Sequence, residues 1–463
     1  MSTGDGSGVR ESAATRRDPS RGHEAAVGRG LLAVVALAVL VAAAGCAAPE
    51  ATETPEVTEV TEVTEVTETP EVTEVTETPE ATEAPEAETP TVETRGGALS
   101  FDPGTEYARL RSLLETNVSA PPSVTVLNES TLPEHDDGVA SATPATFRAF
   151  GVEPAPEERE QLRYRYVAAV GATGQVRVYP GEKPRSLVRT VLVHEFVHYV
   201  QVARGDIGRV REAVGQETTD DRFVTRSIVE GVAVTVTDAY VRRHLDAEPN
   251  GALYERVDGA VPRGTPVWYY NVQYRYGARY VEGQTANASV ALDVVERPPR
   301  TSEQVIHGYA PSEEPPSSLT VAVNASESDW RAVGRDQDRM GEAFLRAALG
   351  DLPRDRANAA AEGWGTDGLV VFRAAAAENA SYALVTRWDG PDDAADFEAA
   401  LADALSRRGT ATAAGWRVDG RRATVERTSE DTVVVLLGTA GFVGNTTVRG
   451  GDGEVTVTVG GGE

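Results

Sequence analysis

His194, Glu195 and His198 stand in the order H-E-x-x-H within VLVHEFVHYVQ, Val191 to Gln201. On a helix, residues four apart share one face, so the two imidazoles would aim at the same spot. Two neutral imidazoles can hold one Zn2+ there at about 2.0–2.1 Å. Glu195, beside them, is placed to take a proton from an attacking water. The opposing reading is a helical glutamate between two structural histidines. The chain has only 6 His in 463 residues, which makes that arrangement improbable by chance. Gln201 and Arg204 occupy the positions where a metzincin needs Gly and His, which excludes that variant. A third ligand must come from elsewhere in the chain.

The elements that position these residues are legible in outline. Leu187, Val188, Val191, Leu192, Phe196, Val197 and Val200 follow the spacing of a buried amphipathic helix. Upstream, Tyr107–Leu114 reads as a short helix and Ser123–Leu127 as a strand. Gln161–Val170, the turn GATG and Gln175–Tyr179 read as a β-hairpin, which Gly181 and Pro184 end before the helix begins. Downstream, ARGDIGRVREAVGQETTDD reads as a polar connection. Arg222–Leu245 then reads as a second long helix, although Val232–Val236 alone has strand character. A third helix is expected over Tyr269–Val281. From Asp329 onward, helical MGEAFLRAAL and DAADFEAALADALSRR mix with strand-like LVVFRAA, SYALVTRW, RATVERT and DTVVVLLG. The final GGDGEVTVTVGGGE is loose or a last hairpin.

The second helix supplies Glu230, in SIVEGVAV, 32 residues after His198. A helical glutamate is usually solvated. Ile228, Val229, Val232 and Val234 around this one point to burial, and a buried carboxylate needs a partner charge or a metal. Glu230 is therefore the candidate third ligand, with Asp238 and His244 as competitors.

The net charge is −28, from 72 acidic and 44 basic residues, and Lys183 is the one lysine. This balance suits solubility in concentrated salt, where self-repulsion is screened; a solubility device at ordinary salt is the alternative. Nucleic acid is excluded as a partner, since its phosphates would be repelled. One cysteine, Cys46, rules out an internal disulfide framework. N-x-S/T sequons at Asn117, Asn128, Asn287, Asn324, Asn379 and Asn445 permit glycosylation of an exported chain.

Residues 1–46 read as a signal peptide. Five arginines precede the apolar run Leu31–Gly45, too short for a confident membrane span, and Ala43-Ala44-Gly45-Cys46 resembles a lipobox. Cys46 would then be the lipidated first residue of the mature protein; an uncleaved anchor is the alternative. Residues 47–98 are a Thr/Glu/Pro stalk, with 14 Glu between Glu53 and Glu93 and no base before Arg95. Such a segment cannot bury a core and should extend. Residues 99–328 form the expected zincin-like domain, and 329–463 an α+β region packed on it.

HEFVHYVQ followed by SIVEGVAV resembles the HExxH-A-x-Q and ALVEGDA pairing of gluzincin-type zinc metallopeptidases. YRYGARYVEG (Tyr274–Gly283), RPPRTSEQVIHG (Arg297–Gly308), MGEAFLR (Met340–Arg346) and AAEGWGTDGLVVF (Ala360–Phe372) are similar to blocks of the Hvo_1808 family, surface lipoproteins of salt-loving archaea. The resemblance implies an α+β, zincin-like fold, zinc held by His194, His198 and Glu230, and Glu195 as base. Val232, where related peptidases often have Asp, and Tyr199, where Ala is common, depart from the pattern without removing a ligand. His307 is the first candidate for stabilising an oxyanion, followed by Tyr274, Tyr276 and Tyr280; core packing is the competing role for the tyrosines. The expected protein is a lipid-anchored peptidase on the outer face of the cell membrane, acting on peptides or proteins. The alternatives are a non-catalytic surface binding lipoprotein that keeps the zincin fold, and a stalked envelope protein without metal. Replacing Cys46 by Ser should release the protein from the membrane fraction and abolish N-terminal processing. Unchanged partitioning and unchanged mass would remove the lipobox reading.

Overall fold

The computed structural model describes residues 89–128, 130, 143–155, 168–170, 174–326, 328–375 and 377–460. The leader with Cys46, residues 47–88 of the Thr/Glu/Pro stretch and the part of the expected hairpin over 161–167 lie outside the described residues.

Ordered packing starts before Leu99. Val92 is buried in the core, and Thr94–Arg95 forms a short strand β1. It runs parallel to β2 (Val124–Val126), with the Val124 N–H donating to the Glu93 carbonyl at 2.8 Å. The end of the stalk is thus an edge strand. Its backbone bonds need only one apolar anchor, which composition does not reveal. β3 (Ala168–Val170) and β4 (Val176–Val178) pair as the expected antiparallel hairpin, completing a sheet of order β1-β2-β4-β3.

Against this sheet lies the H-E-x-x-H helix. Helix α1 (Pro103–Leu114) starts at the Asp102 cap, and α2 (Ala145–Ala149) is short. α3 (Arg185–Arg204) contacts β3, β4 and α1 and ends at Gly205, whose φ of 74° closes the helix in the left-handed region. The segment expected as a polar connection contains α4 (Asp206–Val214). Val210 and Val214 are buried on one side of it; two apolar residues at helical spacing suffice when a neighbouring helix covers them.

The longest element is α5 (Thr219–His244), 26 residues and about 39 Å long. Its β-branched run does not make a strand, because Val224, Ile228, Val232 and Val236 are all buried between neighbouring elements. Tertiary burial overrides a weak intrinsic preference. A capping box between Thr218 and Asp221 starts the helix. After α6 (Asn250–Ala260), α7 (Pro266–Gln284) packs along α5. The two cross at Gly231 and Gly277. A Cβ on Gly231 would lie 2.3 Å from the Gly277 carbonyl carbon, and one on Gly277 would lie 1.9 Å from the Ser227 oxygen. A 3-10 helix (Ala288–Glu296) and α8 (Ser302–His307) follow.

The C-terminal part is built on a seven-stranded antiparallel sheet of order β6-β7-β8-β12-β11-β10-β9. These strands are β6 (Trp330–Asp338), β7 (Trp364–Ala374), β8 (Ser381–Trp388), β9 (Thr410–Thr412), β10 (Gly415–Val418), β11 (Arg421–Arg427) and β12 (Thr432–Gly438). Helices α9 (Glu342–Ala348), α10 (Arg354–Ala359) and α11 (Pro391–Arg408) pack with one face. The other face meets a small sheet of β13 (Thr446–Gly451), β14 (Glu454–Val459) and β5 (Thr320–Asn324), preceded by α12 (Ala440–Asn445). β12 shows why its sequence is continuously apolar: Val433, Val435 and Leu437 join the main core, while Val434 and Leu436 join the second. β5 precedes Asp329, yet it pairs with β14. The fold is thus α+β.

Replacing Gly277 by Ala forces the two helices apart. It should lower the unfolding free energy by about 1–3 kcal/mol, the range for overpacking. Chemical denaturation checks this; an unchanged midpoint would show that the crossing is not tight.

Candidate metal centre

α3 presents His194 and His198 on its buried face, and α5 presents Glu230 opposite them. The three residues are 6%, 4% and 3% exposed. The Glu230 Oε2 atom lies 3.3 Å from His194 Nε2 and 3.1 Å from His198 Nε2, and the two Nε2 atoms are 3.1 Å apart. Four donors around one zinc at about 2.0–2.1 Å stand about 3.3 Å apart in a tetrahedron. The triangle formed by these three atoms therefore matches three corners of such a site, and the group could hold a metal ion.

The electrostatics also call for a cation. Burial alone would raise the Glu230 carboxyl; the His198 and His194 imidazoles overcome it and hold the carboxyl well below the usual carboxylate range. Burial would lower His198, but the Glu230 carboxylate, together with Glu195 and Gln201, raises it to about 9. His194 is lowered, chiefly by burial. Positive charge among the three groups, whether proton or metal, is what compensates the buried carboxylate.

His198 is held in a ligand-ready orientation. The Gln201 side-chain amide donates to the Val229 carbonyl at 2.9 Å, so its oxygen accepts from His198 Nδ1 at 2.7 Å. This leaves Nε2 facing the other two donors. Gln201 lies three residues beyond His198, on the same helix face; the spacing was visible in the sequence, but the role was not. His194 Nδ1 has no such partner among the described residues. Val232, the departure from the related peptidases' Asp, is fully buried in the apolar core. Glu195 is 1% exposed, and its charge acts on both His198 and Tyr254.

The structure separates the remaining candidates. Asp238 accepts from the backbone N–H groups of Asn250 and Gly251 at 2.6 and 2.9 Å, at the start of α6. His244 packs on Tyr240 at the far end of α5. Neither belongs to the His–His–Glu group. His307 accompanies Glu342 at 3.1 Å and Arg346 at 3.5 Å and stacks on Tyr309. Among the described contacts none joins it to the metal group, so the geometry gives its expected oxyanion role no support. A histidine on a short helix carries no sequence signal for which neighbour it meets. Tyr276 turns toward Arg346, and Tyr280 buries its hydroxyl without a partner among the described residues. Tyr274 alone of the three tyrosines reaches the site. It stacks on His194 with centroids 6.3 Å apart, and it hydrogen-bonds with Glu230.

A cavity of about 410 Å3 opens beside the group, with His198 and Glu230 in its wall. Arg226, four residues before Glu230 on α5, also lines it. No motif in the sequence marks Arg226, although its i, i+4 relation to Glu230 places both on one helix face.

A family model described as "Domain of unknown function (DUF8575)" matches residues 331–446. That span covers most of the seven-stranded sheet and none of the metal group. No curated protein and no solved structure matches the chain. Replacing Gln201 by Leu keeps all three ligands but removes the support of His198. It should weaken metal affinity by about 10–100-fold in competition against a chelating dye; unchanged affinity would leave Gln201 with a packing role only.

Proposed function

We propose that this protein is a zinc-dependent peptidase of gluzincin type, anchored by lipid at Cys46 on the outer face of the cell membrane. The observation that carries the reading is the convergence of His194, His198 and Glu230 on one point, with Glu195 buried next to them. Two imidazoles and a carboxylate on two helices form the donor set of catalytic zinc sites that keep a fourth position open. The spacing H-E-x-x-H, with the third donor on the next long helix, supports the gluzincin arrangement. The leader ending at Cys46 and the Thr/Glu/Pro stretch support the surface location. No described helix is long and apolar enough to cross a membrane.

When bound, the cation supplies positive charge that polarises a peptide carbonyl and makes water more acidic. The chain's own groups do the rest. Glu195 takes a proton from the attacking water and returns it to the leaving amine. Gln201 keeps His198 in its ligand tautomer. Tyr274, hydrogen-bonded to Glu230 and stacked on His194, orients the carboxylate and is the tyrosine whose hydroxyl would serve a developing oxyanion. The cavity beside the group offers room for a substrate side chain.

Metal analysis and a peptide library test this reading. The wild type should contain about one zinc and cleave a subset of peptides. Substituting Ala for His194, His198 or Glu230 should remove the metal. Glu195→Gln should keep the metal and lose cleavage by about a hundredfold or more, because it removes a base and no ligand. Zinc without cleavage in the wild type would favour a non-catalytic surface binding protein instead; absence of zinc from carefully prepared protein would sink the metal assignment.

A further inference from the structure

The cavity beside the metal group has an unusual lining. Phe147, Phe223 and Val229 make much of it apolar. Set among them are polar side chains with unfilled hydrogen-bonding atoms. Thr225 Oγ1, Tyr269 Oη, Gln273 Oε1, and Arg226 Nε and Nη2 are all buried without a hydrogen-bond partner among the described residues. A buried polar group left unmatched is destabilising, and more so if charged. Four such residues on the wall of one cavity point to a ligand that completes them.

Arg226 identifies the chemistry of that ligand. Its guanidinium lies over the rings of Tyr270 and Tyr274, 5.4 and 5.8 Å from their centroids, which fixes its plane. The chain carries 72 acidic residues, yet no ion pair among the described residues includes Arg226. The nearby Glu230 carboxylate meets the two histidines through Oε2; its charge also favours the Arg226 cation, and Tyr274 hydrogen-bonds with both residues, but Nε and Nη2 of Arg226 stay without a partner among the described residues. Arg222, also on the cavity wall, is by contrast occupied by the Gln216 and Glu217 carbonyls and the Thr219 hydroxyl. A planar, pre-set guanidinium with two free N–H-bearing nitrogens, surrounded by aromatic surface, matches a carboxylate on an apolar body. One helical turn, about 6 Å of rise, separates Arg226 from Glu230. A carboxylate held there belongs to a residue next to, or one removed from, the bond at the metal group.

We propose that this cavity is the specificity pocket and that Arg226 receives a substrate carboxylate, either the chain terminus or an acidic side chain. The assignment of substrate class rests on the peptidase reading; the binding of a carboxylate in the cavity does not.

Two measurements on the full chain test the proposal. In the first, 3-phenylpropionate and 3-phenylpropionamide are titrated calorimetrically into chelator-treated and zinc-loaded protein. The acid should bind about 10–100-fold tighter than the amide in both, the range that a charge-assisted bond supplies. Arg226→Gln should erase the preference, and Arg226→Lys should restore part of it. Equal binding of acid and amide, or an Arg226→Gln variant that still prefers the acid, would overturn the proposal. In the second, peptides ending in a free carboxylate, their amidated forms, and amidated peptides with an internal Asp or Glu are compared as substrates. Preference for the free terminus identifies the terminal carboxylate; preference for the internal acid identifies the side chain. Either preference should disappear in Arg226→Gln while its zinc content stays the same. Cleavage of all three classes at equal rates would overturn the substrate assignment. No cleavage of any peptide, with acid-selective binding intact, would sink the peptidase reading and leave the carboxylate site standing.

Discussion

Removing a carboxylate from water costs several kcal/mol unless an opposite charge meets it, and Glu230 is 3% exposed. What meets it is a pair of imidazoles whose ring nitrogens stand 3.1 and 3.3 Å away. This one contact makes demands on everything around it. The imidazoles must share a helix face, the carboxylate must arrive from a different helix, and the two helices must be held at a fixed separation and height. The gradient of pKa values across the cluster, with Glu230 pushed down and His198 raised to about 9, records the same demand for positive charge.

The separation is set by close packing. α5 lies against α7 where Gly231 and Gly277 remove the side chains that would keep the backbones apart. That crossing immediately follows Glu230 in sequence and brings Tyr274 of α7 onto His194. The height is set at the beginning of α5. There the Thr218–Asp221 capping box is joined to the C-terminal part. Thr219 donates from its backbone to Asp338 at 2.6 Å, and Arg339 pairs with Asp221 at 2.7 Å and with Asp220 at 3.2 Å. Asp338 and Arg339 lie within or just after β6. The seven-stranded sheet, and with it the family match over 331–446, is therefore coupled to the metal group through the start of one helix.

The cavity extends the same economy of charge. Among the acidic residues of a chain with a net charge of −28, the wall beside Glu230 carries an arginine whose Nε and Nη2 have no hydrogen-bond partner and that joins no ion pair among the described residues. A pocket of that kind stands out against its own surface, and an anionic ligand that reaches it exchanges repulsion at the surface for attraction inside.

By itself, the sequence determined the local features. Apolar spacing around His194 was enough to define α3, because period and burial act within one element. H-E-x-x-H followed by Glu230 in an apolar stretch named the three residues that the structure brings together, because i, i+4 geometry and the cost of a buried carboxylate hold in any fold. Four of the seven strands of the C-terminal sheet, β7, β8, β11 and β12, were readable for the same reason; β6, β9 and β10 were not. Tertiary structure decided what depends on contact between distant elements. It chose Glu230 over Asp238 and His244, which sit further along the same helix and satisfy themselves at α6 and on Tyr240. It paired His307 with Glu342 and brought Tyr274 onto His194. It turned the end of the Thr/Glu/Pro stretch into β1 and the polar connection into α4. It also set the Gln201 oxygen on His198 Nδ1 and placed Arg226 in the cavity wall. Each of these outcomes depends on which surface another part of the chain presents, and a one-dimensional pattern of apolar and polar residues does not encode that pairing.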